Sequence, residues 1–140
     1  MIRQYSPNDK SKTIELLRRN TPEYFAVSEE VAFENYLTTE VEDYFVYEDH
    51  SEIIGAGGIN YFPQKKLARI SWDIIAPEHQ GKGIGKKLLQ HRIKHLNQNP
   101  NIEQIVVRTS QLVSHFYKKA GFELDRIEKD FWAKGYKYIK

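Results

Sequence analysis

APEHQGKGIGKK occupies residues 76–87, between an apolar run typical of a strand and an apolar stripe with helical spacing. Glycines in such a turn let the backbone approach a ligand and point successive N–H groups at it. The start of the helix adds roughly half a positive charge, and Lys82, Lys86 and Lys87 add full charges. The turn therefore favours a bound phosphate, with a glycine turn required only for geometry as the alternative.

Two common phosphate-binding signatures do not fit this turn. A P-loop needs Ser or Thr after its Gly-Lys pair, whereas Lys87 follows Gly85 and Lys86. The dinucleotide fingerprint needs its third glycine where Lys86 stands. The neighbouring sequence offers no pair of acids for magnesium. These departures favour a pyrophosphate that is bound without magnesium.

Hydrophobic periodicity and turn residues predict an α/β fold with a mixed sheet and helices on both faces. Three strands joined by short turns precede the glycine turn and predict an antiparallel meander, and the later strand–helix–strand segment predicts a parallel pair. The predicted order is α-α-β-β-β-α-β-α-β-β. The helices are expected at residues 6–20, 28–37, 84–96 and 110–121, and the strands at 44–47, 53–62, 67–76, 102–109, 122–130 and 136–140.

Length and composition favour a single soluble domain. The chain has 140 residues, of which 40% are hydrophobic, so residues 1–140 can bury one core. It has no cysteine, which excludes disulfides, thiolate zinc sites and thiol nucleophiles. No apolar run approaches the ~20 residues that cross a bilayer, and the first residues do not resemble a signal peptide. We therefore expect a cytoplasmic protein that has no membrane partner.

Charge is distributed unevenly along the chain, although the net charge is only +2. Residues 20–64 carry ten acids and no Lys or Arg, whereas residues 65–140 carry sixteen bases and seven acids. Such an asymmetry suggests partners of opposite sign, with two merely solvated faces as the alternative.

Two motifs carry a resemblance to a known family. Residues 80–85, QGKGIG, match the Q/R-x-x-G-x-G/A motif of the GNAT N-acetyltransferase superfamily, and residues 116–122, FYKKAGF, are similar to its F-Y-x-K-x-G-F block. The predicted order of elements also resembles the family fold over nearly the whole chain. The resemblance implies a mostly antiparallel sheet flanked by helices, with acetyl-CoA as co-substrate and no metal.

The resemblance also assigns roles to residues. It implies that the turn holds the pyrophosphate by backbone amides, that the preceding strand binds the pantetheine arm, and that the Ile75 amide donates to the thioester oxygen. Tyr117 corresponds to the tyrosine that protonates the departing thiolate, although the sequence alone also fits a core aromatic. Lys119, with Lys118, would contact the 3′-phosphate or form a surface pair. The implied cofactor-binding residues are Asp73, Ile74, Ile75, Gln80, Gly81, Lys82, Gly83, Ile84, Gly85, Lys86, Ser110, Tyr117 and Lys119.

Two positions depart from the family pattern. Ser110 stands where an asparagine often contacts the cofactor, so it makes a shorter contact or only caps the following helix. Arg69 stands where a glutamate often activates the amine, and a guanidinium cannot act as that base. Strand alternation predicts that Arg69, Ser71, Asp73 and Ile75 share one face. Asp73 is then the substitute catalytic base, with an ion pair to Arg69 or a neighbour as the alternative.

The acidic segment 20–64 is expected to form the acceptor side. A cationic amine is attracted to acids, and it must lose a proton before it can attack. Aromatic residues near the start of the segment would supply walls, and Phe131 and Trp132 would cover this pocket or pack in the core. The predicted substrate-binding residues are Tyr24, Phe25, Glu29, Glu30 and Phe33, with Tyr36 as a further wall.

These inferences predict acetyl-CoA-dependent N-acetylation of a small-molecule or peptide amine, by direct transfer in a ternary complex. A GNAT-fold sensor that binds acyl-CoA without turnover is the alternative, because Arg69 departs from the pattern. Nucleic-acid binding is not expected, since the acidic segment opposes it. His91 and His95 have the spacing of helix metal ligands but no neighbouring carboxylate, so we expect solvated residues and no metal. The sequence leaves the oligomeric state open, and a homodimer is compatible with it.

Overall fold

Helices and strands of one sheet make up most of the chain. The computed structural model describes residues 1–110, 114–127 and 133–138. The strands are β1 (Ile2–Gln4), β2 (Asp43–Asp49), β3 (Glu52–Phe62), β4 (Leu67–Ile75), β5 (Gln104–Ser110), β6 (Phe122–Ile127) and β7 (Ala133–Tyr138). The α-helices are α1 (Lys10–Arg19), α2 (Glu29–Asn35), α3 (Ile84–Asn97) and α4 (Ser114–Lys119), and a π-helical turn, Tyr36–Glu40, extends α2.

Within the described residues the strands form one seven-stranded sheet in the order β1-β2-β3-β4-β5-β7-β6. β4 and β5 run parallel, and all other neighbours in this order are antiparallel. The predicted α/β class and the mostly antiparallel sheet are confirmed. The predicted order is incomplete, because Ile2–Gln4 forms an additional first strand that pairs with β2. A strand of three residues is too short to show a period of its own.

The two central strands separate at their carboxyl ends. In the described residues, the parallel ladder of β4 and β5 covers Leu67–Ile70 and Gln104–Val107. Beyond Ile70, β4 continues beside β3, whereas β5 continues beside β7. A cleft opens where the two strands part.

A β-bulge in β4 lies at this point of separation. The register between β3 and β4 steps from Gly58 opposite Ser71 to Ala56 opposite Ile74, so two residues of β4 oppose the single Gly57. These two residues are Trp72 and Asp73, and the φ angle of Trp72 is 51°. A non-glycine residue in the left-handed region is uncommon and is held there by its surroundings.

The bulge changes which side chains share a face. Ser71 remains on the face of Asn60, to which its hydroxyl donates at 2.8 Å, and Arg69 lies opposite Asn60 on that face. Asp73 faces the other way, where its carboxylate lies 2.5 Å from the guanidinium of Arg92 on α3. The prediction that Arg69, Ser71, Asp73 and Ile75 share one face is therefore wrong, because the extra residue reverses the alternation.

The apolar stripe of α3 packs against the sheet as its spacing predicts, with Leu88, Leu89 and Leu96 each 1% exposed. Only part of the apolar sequence of α2 is buried, since Phe33 is buried but Val31 is 66% exposed. Residues two apart on a helix point in different directions, so both could not face the core. Ser110 is the last residue of β5, and the prediction that its side chain caps the next helix falls outside the described residues.

An ion pair joins β1 to the start of the first helical segment. The carboxylate of Asp9 accepts from both terminal nitrogens of Arg3, at 2.8 and 2.9 Å, and from the Ser6 amide at 2.9 Å. The hydrogen bonds from Arg3 are the main reason why the pKa of Asp9 falls to about 2. This carboxylate therefore stabilises the fold at pH values above its ordinary pKa, and the contribution disappears as the pH falls through about 2.

We predict that Asp9→Asn lowers the free energy of unfolding by ~1–2 kcal/mol at pH 7, a value reduced for the partial exposure of Arg3. The difference from wild type should shrink as the pH falls from about 4 toward about 2. Urea denaturation over this pH range measures both effects. Glu52→Gln, at an exposed site, is the control and should change stability by less than ~0.5 kcal/mol. A deficit that is constant with pH would contradict this account.

Candidate active site

A cleft of about 2060 Å³ opens where β4 and β5 part. β4 contributes residues 69–75 to its lining, and the segment from Asn20 to Glu29 contributes most of another wall. The glycine turn, α3 along its whole length and α4 also line the cleft, together with Ala56 of β3 and Tyr138 of β7. The cleft therefore brings together the regions that the two sequence motifs indicated.

The glycine turn borders open space. Gly81 and Gly83 have φ angles of 79° and 84°, a left-handed conformation in which other L-residues are strained. A Cβ on either glycine would meet no heavy atom of the described residues within 4 Å. Gly85 differs, since a Cβ there would lie 3.4 Å from the Phe116 ring. The first two glycines thus shape a free backbone surface, whereas the third lies beside α4 at an ordinary contact distance.

Backbone amides at the start of α3 are positioned for an anion. The Lys87 amide donates to the Gly83 carbonyl at 3.0 Å, so the amides from Ile84 to Lys86 precede the first intrahelical hydrogen bond. Lys86 lines the cleft, and Lys82 is solvent-exposed. An α-helix N-terminus with free amides and a nearby cation can bind a phosphate group.

Gln80 and Ile75 connect the turn to the end of β4. The side-chain amide of Gln80 donates to Asn20 Oδ1 at 3.1 Å and to the Ile75 carbonyl at 3.4 Å. The Ala76 amide donates to the Ile54 carbonyl at 2.8 Å, which makes these two residues a hydrogen-bonded antiparallel pair. In the next pair along the ladder, the backbone groups point outward. The Ile75 amide therefore points away from β3, to the side where β5 has separated.

Tyr117 lies on α4 and reaches across the gap to β4. It is 4% exposed, and its ring packs edge-on against Phe116 and Phe122. Its hydroxyl donates to Asp73 Oδ2. Burial, followed by the charge of Asp73, raises the pKa of Tyr117 well above its ordinary value, while the charge of Arg92 acts in the opposite direction. Tyr117 is therefore a protonated phenol at neutral pH, in direct contact with a carboxylate.

Asp73 bridges this phenol to a cation that sequence reasoning missed. Arg92 is completely buried, and its guanidinium pairs with Asp73 Oδ1. The alternative predicted for Asp73, an ion pair to Arg69 or a neighbour, is thus realised with Arg92. The sequence held one signal, because Arg92 stands four residues after Leu88 and four before Leu96 in the apolar stripe of α3.

The predicted acceptor residues divide into two groups. Tyr24, Phe25 and Glu29 line the cleft. Phe33 is fully buried beneath the missed residue Trp72, with ring centroids 4.9 Å apart, and it is not part of the cleft wall.

Glu30 was predicted to line the acceptor pocket and does not, whereas Glu23 lines it without having been predicted. Glu30 instead pairs with Arg18 on α1 at 2.7 Å.

Trp72 stacks on Phe25, with ring centroids 6.3 Å apart and planes 15° apart. The half-buried position of Trp72 in the cleft lining follows from the bulge and had no sequence signal.

The other predicted residues are distributed around the cleft and beyond it. Ile74 and Lys119 belong to its lining. The guanidinium of Arg69 lies 5.1 Å from the Phe62 ring centroid, on the face of the sheet opposite to Asp73. Phe131 and Trp132, and the side chain of Ser110, lie outside the described residues.

The two histidines of α3 pack against β2. The rings of His91 and His95 lie edge-on to Phe45, at centroid distances of 4.8 and 6.1 Å. In residues 1–110, 114–127 and 133–138, no group of three potential ligands could hold a metal ion. The same residues contain no helix that is both long and apolar enough to cross a membrane.

A family model for the acetyltransferase (GNAT) domain matches residues 5–140. The chain belongs to the GNAT acetyltransferase family. The match covers both the glycine turn and Tyr117, so the resemblance inferred from the two motifs is confirmed.

Solved structures of other proteins share the GNAT fold. The PaiA N-acetyltransferase of Thermoplasma acidophilum, in complex with coenzyme A, is 16% identical with a TM-score of 0.82, over 100% of this chain and 98% of that chain. A GNAT-family acetyltransferase of Staphylococcus aureus is 20% identical with a TM-score of 0.79, over 99% and 97%. A spermidine N-acetyltransferase of Vibrio cholerae is 20% identical with a TM-score of 0.73, over 99% and 94%. At these identities the similarity establishes the fold.

The conformation of the glycine turn in this GNAT domain supports a prediction about stability. Gly83→Ala should lower the free energy of unfolding by ~1–2 kcal/mol, because its φ of 84° strains any residue with a Cβ although space is free. Gly85→Ala is the matched control within the same turn and should change stability by less than ~0.5 kcal/mol, since its contacts are ordinary. Urea denaturation measures both. Equal losses for the two variants would contradict the assigned conformations.

Proposed function

We propose that this chain is an acetyl-CoA-dependent N-acetyltransferase that acts on a primary amine of a small molecule or peptide. The proposal depends on one observation: the glycine turn and the hydrogen-bonded Tyr117–Asp73 pair line the same cleft. Family membership supports acetyl transfer, and the names of structural neighbours include coenzyme A as a ligand and spermidine as a substrate. The proposal includes the predictions of a single domain over residues 1–140 and a cytoplasmic location.

The cleft fits an acyl-CoA. The free surface beside Gly81 and Gly83 leaves room for a pyrophosphate, and the amides from Ile84 to Lys86 are free to donate to it. Lys86 and Lys119 add positive charge along the lining. The outward-pointing amide of Ile75 would donate to the thioester oxygen, an interaction worth ~3 kcal/mol when negative charge develops there.

The overall reaction transfers one acetyl group and one proton. Acetyl-CoA supplies the acetyl thioester when it is bound. A bond forms between the amine nitrogen and the acetyl carbon, and the bond from that carbon to sulfur breaks. A cationic amine first releases one proton to solvent. The neutral nitrogen that attacks then loses a second proton and the sulfur gains one, so the products are an N-acetylamine, the free thiol of coenzyme A and the released proton.

Asp73 and Tyr117 can divide the proton transfer between them. Asp73 accepts the proton from the amine, and the Tyr117 hydroxyl donates its proton to sulfur. Because the hydroxyl is hydrogen-bonded to Asp73, the proton taken up by the carboxylate can restore the phenol. The raised pKa of Tyr117 disfavours a lasting phenolate in this buried position, and the direct link to Asp73 removes the need for one.

We predict that Tyr117→Phe lowers kcat by ~10²–10⁴-fold and changes the Kd for acetyl-CoA by less than ~3-fold, because the variant loses the acid and keeps the ring. Release of coenzyme A over a panel of amines measures turnover, and calorimetry measures binding. Tyr61→Phe is the matched control, since Tyr61 also donates to an aspartate, Asp43, outside the cleft lining. This control should leave kcat unchanged within ~2-fold.

Two results would overturn the proposed function. Tight binding of acetyl-CoA without turnover of any amine would favour the acyl-CoA sensor. A failure to bind coenzyme A or acetyl-CoA would remove the basis of both alternatives.

The acidic wall of the cleft gives a prediction about the acceptor. Glu23→Gln combined with Glu29→Gln should raise KM for a cationic amine by ~3–10-fold, because both carboxylates line the cleft and attract the cation. The Kd for acetyl-CoA should not change. Glu34→Gln combined with Glu52→Gln, at two exposed sites outside the cleft lining, is the control that matches the change in net charge. An equal rise in KM for this control would show that the effect is not local.

A further inference from the structure

Arg92 is an unusual residue for the interior of this fold. Its side chain is 1% exposed, and it extends from the buried face of α3 toward the sheet. Nε donates to the Leu88 carbonyl of its own helix at 3.1 Å, and Nη1 donates to the Gly58 carbonyl of β3 at 3.1 Å. Nη1 also lies 2.5 Å from Asp73 Oδ1. The guanidinium thus has hydrogen bonds to a helix and to a strand in addition to its ion pair with Asp73.

Gly57 makes space for this arrangement. A Cβ at position 57 would lie 2.3 Å from Asp73 Oδ1 and 2.8 Å from Arg92 Cζ, far inside contact distance. Gly57 is also the residue opposite the bulge that turns Asp73 toward α3. Gly57, which has no side chain, the bulge in β4 and the buried Arg92 therefore all lie around the Asp73 carboxylate.

The two oxygens of that carboxylate have separate partners. Oδ1 meets Arg92, and Oδ2 accepts the hydroxyl of Tyr117. Because the guanidinium is held by two carbonyls, its charge has a fixed place beside Oδ1, although Oδ1 accepts no hydrogen bond within the described residues. This fixed charge attracts one oxygen of the carboxylate and leaves Oδ2 directed at the Tyr117 hydroxyl.

We propose that Arg92 is a positioning residue of the transfer reaction, which holds Asp73 so that its second oxygen meets the Tyr117 hydroxyl in the cleft. This inference rests on the proposed function. The competing role is purely structural: a buried ion pair whose loss destabilises the fold without any specific link to Tyr117.

A double-mutant cycle separates the two roles. Arg92→Met keeps the approximate length of the side chain and removes its charge and donors. In the wild-type background it should lower kcat by ~10–100-fold, because Asp73 loses its fixed orientation, while the Kd for coenzyme A stays within ~3-fold. In the Tyr117→Phe background the same substitution should lower kcat by less than ~3-fold, because the group on which it acts is gone. Arg92→Lys should recover part of the kcat loss.

Arg3→Met controls for a loss of stability, since it also breaks an arginine–aspartate pair, Arg3–Asp9, outside the cleft lining. It should leave kcat unchanged within ~2-fold for the folded protein. If Arg92→Met and Tyr117→Phe reduce kcat independently, so that their effects multiply, the positioning role is wrong. An unchanged kcat in Arg92→Met would also overturn it. Should Arg92→Met fail to fold, the cycle is run with Arg92→Lys, and the same two results decide.

A spectroscopic test does not depend on turnover. The Cζ resonance of Tyr117 in protein labelled with ¹³C-tyrosine is assigned by its loss in Tyr117→Phe. It should shift in Arg92→Met and Arg92→Lys, because the position of the accepting Asp73 carboxylate changes, and it should remain in place in Arg3→Met. If the wild type binds coenzyme A but acetylates nothing, the proposed function fails, and this resonance still decides whether Arg92 positions Asp73 against Tyr117. An unshifted resonance would refute that role.

Discussion

The β-bulge at Trp72 and Asp73, opposite Gly57, is the constraint on which the site depends. One extra residue in β4 reverses the alternation of side chains, so that Asp73 faces α3 while Ser71 stays on the other face. The bulge lies where β4 leaves β5, and the cleft begins at the same place. A regular strand would keep Asp73 on the face of Ser71, away from Arg92, and its carboxylate could not bridge the arginine to Tyr117.

Electrostatics then divide the cleft into regions of different sign. The free amides and Lys86 make the start of α3 attractive to an anion, and Lys119 extends this character along the lining. Glu23 and Glu29 give the segment before α2 the opposite character. Two of the ten acids in residues 20–64 thus line the same cleft as Lys86 and Lys119, which suits a reaction between an anionic donor and a cationic amine.

The sequence predicted those features that depend on local pattern. Glycine spacing identified the turn, helical spacing identified the buried face of α3, and the second motif identified Tyr117. The predictions failed where the conformation of one segment depends on its contact with another segment that is separate in the sequence. The bulge depends on the register between β3 and β4, which simple alternation in β4 cannot show. The pairing of Glu30 with Arg18 and the burial of Phe33 beneath Trp72 likewise depend on how helices dock.

Arg92 shows how such a failure could be avoided. An arginine within the apolar stripe of α3 contradicts its surroundings, and a buried cation needs a buried partner. Gly57 lies on β3, a strand that packs against this helix, and its lack of a side chain leaves room for Arg92. The sequence contains no information that connects Gly57 with Arg92 directly.

A crystal structure of the complex with coenzyme A directly tests whether the gap between β4 and β5 holds the cofactor. We expect the pyrophosphate oxygens within hydrogen-bond distance of the backbone amides between Gly81 and Lys86, and the sulfur ~3–4 Å from the Tyr117 hydroxyl. Coenzyme A bound outside the gap between β4 and β5, or with its sulfur directed away from Tyr117 and Asp73, would contradict this expectation.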